Sequence, residues 1–218
     1  DHAAKAGLDV EIIRNGSRGA FWLEPLVEIE SNDRRVAYGP ISPKDVSSLF
    51  EAGFPEADGH PLYLGDFSNI EWLARQQRLS FNRAGIIDPL SFEDYQKHRG
   101  YEGLAKALDM TPAEIVEAVT ASGLRGRGGA AFPTGIKWKT VLDTPAEQKY
   151  VIANADEGDS GTFADRLLME ADPYQLIEGM TICALAVGAS QGFIYLRSEY
   201  PKALHVLEHA ISAAKNAG

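Results

Sequence analysis

Two short runs of strand character, residues 150–153 and 192–196, are each followed by helical sequence, and that order does most to restrict the fold. Helices are expected at 163–171 and 174–187 between the two runs. Another is expected at 201–214 after the second, where Ala203, Val206, Leu207, Ala210 and Ile211 recur on one face. Strand, helices, strand, helix implies a parallel α/β layer. Open sheets of this kind bind ligands beyond the carboxyl ends of their strands. The residues that follow Ala153 therefore carry functional weight.

Further helices are expected at 70–78, 91–97, 101–108, 112–121 and 136–142. The start at Pro112 is the best signalled, because Thr111 precedes a proline at the first helical position and Glu114 stands three residues on, a capping box. Gly123 then ends that helix. Toward the amino end, 10–13 and 25–29 read as strands joined by the turn-rich 15–19, followed by 35–38 and a short helix at 43–50, together a small α/β unit. Gly53, Pro55, Gly59, Pro61 and Gly65 favour turns over regular structure, which places a domain boundary within 53–66. The expected domains are 1–60 and 61–218.

With 218 residues, 44% of them hydrophobic, the chain holds enough apolar side chains for a buried core. Its net charge of -10 argues against a general nucleic-acid or anionic-membrane surface, since neutralising a phosphodiester backbone takes an excess of Lys and Arg. Any phosphate must be held locally. Cys183 is the single cysteine, so the chain alone builds no intrachain disulfide, cysteine-ligated zinc finger or iron–sulfur cluster. That fits a reducing, cytoplasmic setting. No run approaches the about eighteen apolar residues of a membrane span, and the start, DHAAKAGLDVEII, lacks the basic and apolar pattern of a secretory signal. The start at Asp1 without methionine, and the end at Gly218 just after a helix, are expected of a fragment.

Two glycine-rich, charged segments stand close together: GLRGRGGAAFPTGIKW at 123–138 and NADEGDSGTFADR at 154–166. The first strings together amides that no bulky side chain shields, with Arg125, Arg127 and Lys137 adding positive charge, which suits phosphate. Gly126, Gly128 and Ala131 formally meet the dinucleotide fingerprint, but a helix precedes them where a strand is required, and Pro133 interrupts. Gly135, Ile136 and Lys137 do not form a Walker A ending. The plain alternative is a glycine-rich surface turn. In the second segment an EF-hand register fails, with Leu167 at the closing glutamate position or Asp159 at the turn glycine. Its plain alternative is a solvated acidic loop in which Asp156, Glu157, Asp159 and Asp165 favour the dipole of the helix at 163–171. Asn154, directly after the strand, favours a ligand instead. A phosphorylated cofactor with a hydrogen-bonding ring or polyol would use both segments. His205 and His209 lie four apart on a helix without an HExxH motif and read as a surface pair. Cys183, in an apolar run, reads as a buried small hydrophobe.

These two segments, continued by LIEGM at 176–180 and IYLRSEY at 194–200, resemble the flavin-bearing, NADH-oxidising (diaphorase) subunit family. Respiratory complex I, NAD-reducing hydrogenases and NAD-dependent molybdenum formate dehydrogenases share that family. The resemblance covers 79–218. It implies a Rossmann-like domain that binds FMN and NAD(H), with Gly126, Arg127, Gly128, Gly129 and Lys137 facing the cofactors. It also implies Asn154, Asp156 and Glu157 at the flavin, Phe132 on the nicotinamide or adenine side, and Asp159 near the nucleotide. No residue is expected to act as a catalytic acid or base or to bind a metal, because stacking nicotinamide against flavin leaves hydride transfer to proximity.

Ala131 departs from the glycine in the family's GRGGAGF and leaves slightly less room beside the cofactor. The family's later flavin-binding loop and the cysteines of its [4Fe-4S] cluster would lie in a missing C-terminal part, so the FMN domain is expected to be truncated. In the first region GSRGAFWLEPLVEIE resembles the end of a thioredoxin-like ferredoxin domain. Ser17 and Phe21 stand there in place of cysteines, so no [2Fe-2S] cluster forms. The expected fold is α/β, a Rossmann-like FMN/NAD-binding domain preceded by a partial thioredoxin-like domain. That combination most resembles the beta subunit of a soluble NAD-dependent formate dehydrogenase. It implies a [2Fe-2S] thioredoxin-like small subunit and a molybdenum-containing catalytic subunit as partners. A hydrogenase or complex I subunit and a non-catalytic scaffold without flavin are the alternatives.

Overall fold

The computed structural model describes residues 2–31 and 34–218; Asp1 lies outside them. The chain forms two compact units, Asp1–Asn82 and Arg83–Gly218. The first contains α1 (His2–Lys5), β1 (Val27–Ser31), β2 (Arg34–Tyr38), α2 (Val46–Glu51), β3 (Tyr63–Asp66) and α3 (Glu71–Ala74). Its three strands form an antiparallel meander in sequence order, with Val27 opposite Tyr38 and Val36 opposite Asp66. Tyr38 is fully buried against Leu49 and Ala57, while Ala37, on the other face of β2, packs with Phe67 and Leu73. Glu28 on β1 accepts two bonds from Arg18 at 2.7 and 2.8 Å and pairs with Arg35 at 2.7 Å, which ties the preceding loop to the sheet.

Three expectations for this unit change. Residues 10–13 are not a strand: no strand among the described residues takes them up, and Val10, Ile12 and Ile13 remain exposed. The turn-rich stretch contains β3, because Tyr63 packs its ring on Tyr38 with centroids 5.3 Å apart and the following residues complete the ladder on β2. The first unit consequently runs to Asn82, past the boundary expected within 53–66. The helix expected at 70–78 is the single turn of α3.

The second unit contains α4 (Phe92–Lys97), α5 (Glu102–Leu108), α6 (Pro112–Ala121), α7 (Thr134–Asp143), β4 (Tyr150–Ala155), α8 (Ala164–Ala171), α9 (Pro173–Val187), β5 (Gln191–Leu196) and α10 (Pro201–Ala217). β4 and β5 are parallel, in register from Tyr150 opposite Gln191 to Ala155 opposite Leu196, with α8 and α9 as the crossover. α9 is the floor of the unit and packs against α5, α6, α7, α8, α10 and both strands. It is apolar around most of its circumference, which allows Ala186 and Val187 to join Ile115 and Val116 while Tyr174 joins Ile87, Tyr95 and Ala210. The capping box of α6 is formed: Glu114 N donates to Thr111 Oγ1 at 3.3 Å and Thr111 N donates to Glu114 Oε2 at 2.7 Å.

Side chains of β4 alternate. Val151, Ala153 and Ala155 are half-buried or buried, whereas Tyr150, Ile152 and Asn154 are exposed, as are Phe193 and Tyr195 on β5. On the covered side an apolar groove of about 310 Å³ runs along β4 between Leu168, Leu176, Met180 and Cys183.

Candidate functional site: two loops at the strand ends

The glycine-rich loop is a hairpin suspended between α6 and α7. Gly123, with φ +70°, turns the chain out of α6. The arms then pair through Gly126 N to Phe132 O at 2.9 Å and Thr134 N to Leu124 O at 2.9 Å. The helices that hold these arms meet closely at Gly135, where an added Cβ would lie 2.1 Å from Thr120 Oγ1 and 2.7 Å from Thr120 Cα. Only glycine permits that crossing.

Inside the hairpin the amides of 127–132 donate to no protein acceptor among the described residues. A Cβ added at Gly128 or Gly129 would meet nothing within 4 Å, and Gly129 has φ +95°. Ala131, the departure from the family pattern, adopts φ +50°. Arg125 turns inward and donates from Nε to Ala131 O at 2.6 Å. Arg127 and Lys137 are exposed and pair with no protein group among the described residues. Lys137 lies in the first turn of α7 with its Nζ 3.0 Å from the position of a Gly126 Cβ, so its charge overhangs the loop. α7 has no acidic residue in its first turn and no side-chain cap, so its positive end also faces this region. Phe132 is 49% exposed at the base of the hairpin.

The acidic loop leaves the carboxyl end of β4. Asn154 Oδ1 accepts from Asp156 N at 3.1 Å and turns the chain out of the strand. Glu157, at φ +43°, directs its carboxylate onto the start of α8, where Oε1 accepts from Asp165 N at 2.7 Å and Oε2 from Arg166 N at 3.0 Å. Tyr200 OH also donates to Oε2, at 3.0 Å. The helix-capping alternative thus describes Glu157. It does not describe Asp156 and Asp159, whose exposed carboxylates accept no hydrogen bond from the described residues. Asp159 takes part through its backbone, its carbonyl accepting from Thr162 N at 3.1 Å. Burial, followed by the charge of Glu157, raises the carboxyl of Asp165 above its usual range.

Sequence reasoning missed Glu178. The LIEGM segment contains it, but nothing local marks the job of its carboxylate. From α9 it reaches the start of α5 and accepts from Tyr101 N at 2.9 Å, Leu104 N at 2.9 Å and Tyr95 OH at 2.5 Å. His209 Nε2 lies 2.9 Å from Leu90 O, and no group of three or more candidate metal ligands occurs among the described residues. No helix among them is long and apolar enough to cross a membrane.

The residues present fit a phosphorylated planar cofactor. Among the described residues, unpaired amides, side-chain-free space and the free cation Arg127 lie on one loop with Lys137 of α7 beside it, and free carboxylates follow a strand end on the other. This is a mixed α/β protein whose glycine loop leaves backbone amides unpaired among the described residues. Residues 119–218 match the model of the Nuo51 FMN-binding domain family. Over 144 residues the chain is 53% identical to HndC of Solidesulfovibrio fructosivorans, a component of an NADP-reducing hydrogenase, covering 66% of this chain and 29% of that protein. It is 50% identical over 128 residues to the F component of the NADH-quinone oxidoreductase of Aquifex aeolicus (strain VF5), covering 59% and 30%. An NAD+-reducing [NiFe]-hydrogenase crystallised in its air-oxidized state shares the fold with a TM-score of 0.52 at 29% identity, over 99% of this chain and 37% of that one. The chain therefore spans about 30% of the length of each of these two relatives.

Proposed function

We propose that the second unit is a Rossmann-like domain that holds FMN and NAD(H) and serves hydride exchange between them. The observation that carries this reading is the set of unpaired amides at 127–132 beneath the free cations Arg127 and Lys137, in a segment of the FMN-binding family. In this reading Gly126, Gly128 and Gly129 let planar rings approach the backbone, while Arg127 and Lys137 neutralise phosphate. Asn154, Asp156 and Asp159 accept from ring N–H and hydroxyl groups. Phe132, half exposed, covers the nicotinamide or adenine. Glu157, placed at the flavin by resemblance, contributes from behind the loop by holding its turn against α8. Bound there, FMN supplies two-electron chemistry toward NAD(H) and one-electron chemistry toward iron–sulfur clusters. The protein's part is orientation, and no side chain need move a proton.

The first unit, in this reading, is a partial thioredoxin-like domain in which Ser17 and Phe21 leave no [2Fe-2S] ligands. Its pairing with the flavin domain favours the diaphorase module of a cytoplasmic NAD-dependent formate dehydrogenase, working with a [2Fe-2S] small subunit and a molybdenum subunit. A [4Fe-4S] cluster would be bound outside these residues. The 53% identity to a hydrogenase component supports a second reading, a hydrogenase assembly. Purification of the intact complex tests both levels. A yellow chromophore bleached by NADH is expected, and a colourless protein that does not change with NADH would overturn the cofactor reading. Molybdenum or nickel in the co-purified large subunit separates the two assemblies. Arg127→Ala and Lys137→Ala should each weaken FMN binding about tenfold or more, the loss expected for one charge-assisted contact.

A further inference from the structure

We infer that Tyr200 and Arg197 are positioning residues for the acidic loop and that Glu157 is the strut they hold, an inference that rests on the FMN reading above. β5 ends at Leu196, and Arg197 N extends the ladder by donating to Ala155 O at 3.2 Å. From this point the Arg197 side chain reaches across the sheet end, and Nη1 donates to the carbonyl of Glu157 at 2.7 Å. Tyr200 donates to the same residue's carboxylate. Two guanidinium groups lie over the Tyr200 ring, Arg166 at 5.6 Å and Arg197 at 5.8 Å from its centroid.

Glu157 thus carries four contacts: its carbonyl to Arg197 at the end of β5, and its carboxylate to two amides of α8 and to Tyr200. A glutamate in the left-handed region is held there by its surroundings, because the isolated residue disfavours that backbone. Both carboxylate oxygens face protein donors. The ligand-reading carboxylates are then Asp156 and Asp159, one on either side of the strut, and their placement depends on a clamp whose other half comes from the IYLRSEY segment. Glu157 acts on the ligand only by way of the loop.

The test uses the intact protein at a temperature well below its unfolding, with FMN affinity read by fluorescence quenching. Tyr200→Phe should weaken FMN binding about three- to tenfold, as expected for losing one hydrogen bond to a carboxylate that acts indirectly. NADH oxidation at saturating FMN should stay within about twofold of wild type, because the carboxylates that read the ligand remain. Glu157→Gln combined with Tyr200→Phe should bind FMN no more weakly than Glu157→Gln alone, because both cut the same link. Arg197→Lys should retain affinity that Arg197→Met loses. Additive losses in the double variant would mean that Glu157 meets the ligand directly and would overturn the inference. So would a lowered melting temperature with unchanged FMN affinity, the signature of a purely structural contact. A colourless wild type would instead remove the FMN reading itself.

Discussion

Replacing Glu178 by alanine should be among the most damaging single changes in the second unit. α5 begins at Glu102 after Tyr101, which sits at φ +63° and offers no side-chain cap. The amides of Tyr101 and Leu104 are capped instead by a carboxylate from α9, more than seventy residues away in sequence. Glu178 is 9% exposed, and the third donor, Tyr95 OH, is buried. Each hydrogen bond to a charged acceptor contributes about 1.5–3 kcal/mol, and the three share one acceptor group, so their losses do not add in full. Stranding all three donors should cost about 4 kcal/mol, within the range for breaking a buried charged pair. For a chain of this size each kcal/mol lowers the melting temperature by about 2–4 °C, so Glu178→Ala should melt about 8–16 °C lower.

Glu178→Gln separates charge and geometry from bulk. The amide keeps one acceptor oxygen but turns an N–H toward a donor, for about half the alanine loss. Tyr95→Phe removes only the hydroxyl and leaves both helix amides capped, for about 1 kcal/mol, or 2–4 °C. Calorimetric melting of the intact protein should rank the variants Glu178→Ala, Glu178→Gln, Tyr95→Phe in decreasing damage. Melting of Glu178→Ala within about 2 °C of wild type would refute the long-range cap, as would a Tyr95→Phe loss exceeding it.

Gly135→Ala should lower the melting temperature by about 5 °C and reduce flavin content, because its Cβ meets the Thr120 backbone at 2.7 Å and must separate the helices that hold the glycine loop. Glu114, held below its usual carboxyl range by Thr111 Oγ1 and then Thr111 N, stabilises the fold fully above its ordinary value of 4.5 and loses that effect as pH falls through its lowered pKa. Urea titrations from neutral pH downward should show Glu114→Gln losing less stability than wild type in that acid window. Burial pushes the Cys183 thiol up to about 11. Its thiolate fraction near pH 8 is about 0.1%, and iodoacetamide should label it slowly until denaturant is added.

The parts of this fold legible from sequence are those whose cause is local. Thr111, Pro112 and Glu114 define the start of α6 within one turn of chain, and the apolar stripe from Ala203 to Ile211 marks α10 before any partner is known. β3 is the opposite case. Tyr63 and Leu64 stand among turn formers, and the strand exists because β2 offers a ladder and Tyr38 offers a ring to pack on. The apolar residues at 10–13 look like a strand and are not one, since no ladder reaches them. Both outcomes follow from strand propensity being a statement about neighbours. Glu28 with Arg18 and Arg35, and Glu178 with α5, are likewise invisible in the sequence, because a long-range acceptor leaves no spacing to read.

In the acidic loop, helix capping and ligand binding are rival accounts of the same cluster of charges in the sequence, but the structure divides them by residue. A carboxylate placed to meet free helix amides is stabilised by them, and Glu157 meets two at α8, so its charge is directed into the fold. Asp156 and Asp159 lack such donors and remain in solvent. Because the same turn that sends Glu157 inward, with Asn154 bending the chain and Glu157 itself at φ +43°, leaves Asp156 outside, the cap and the ligand-facing edge are one construction. Loosening the cap should therefore misplace the edge without removing any group from it. A loss of flavin affinity at preserved turnover, rather than a loss of turnover, is what such a construction requires.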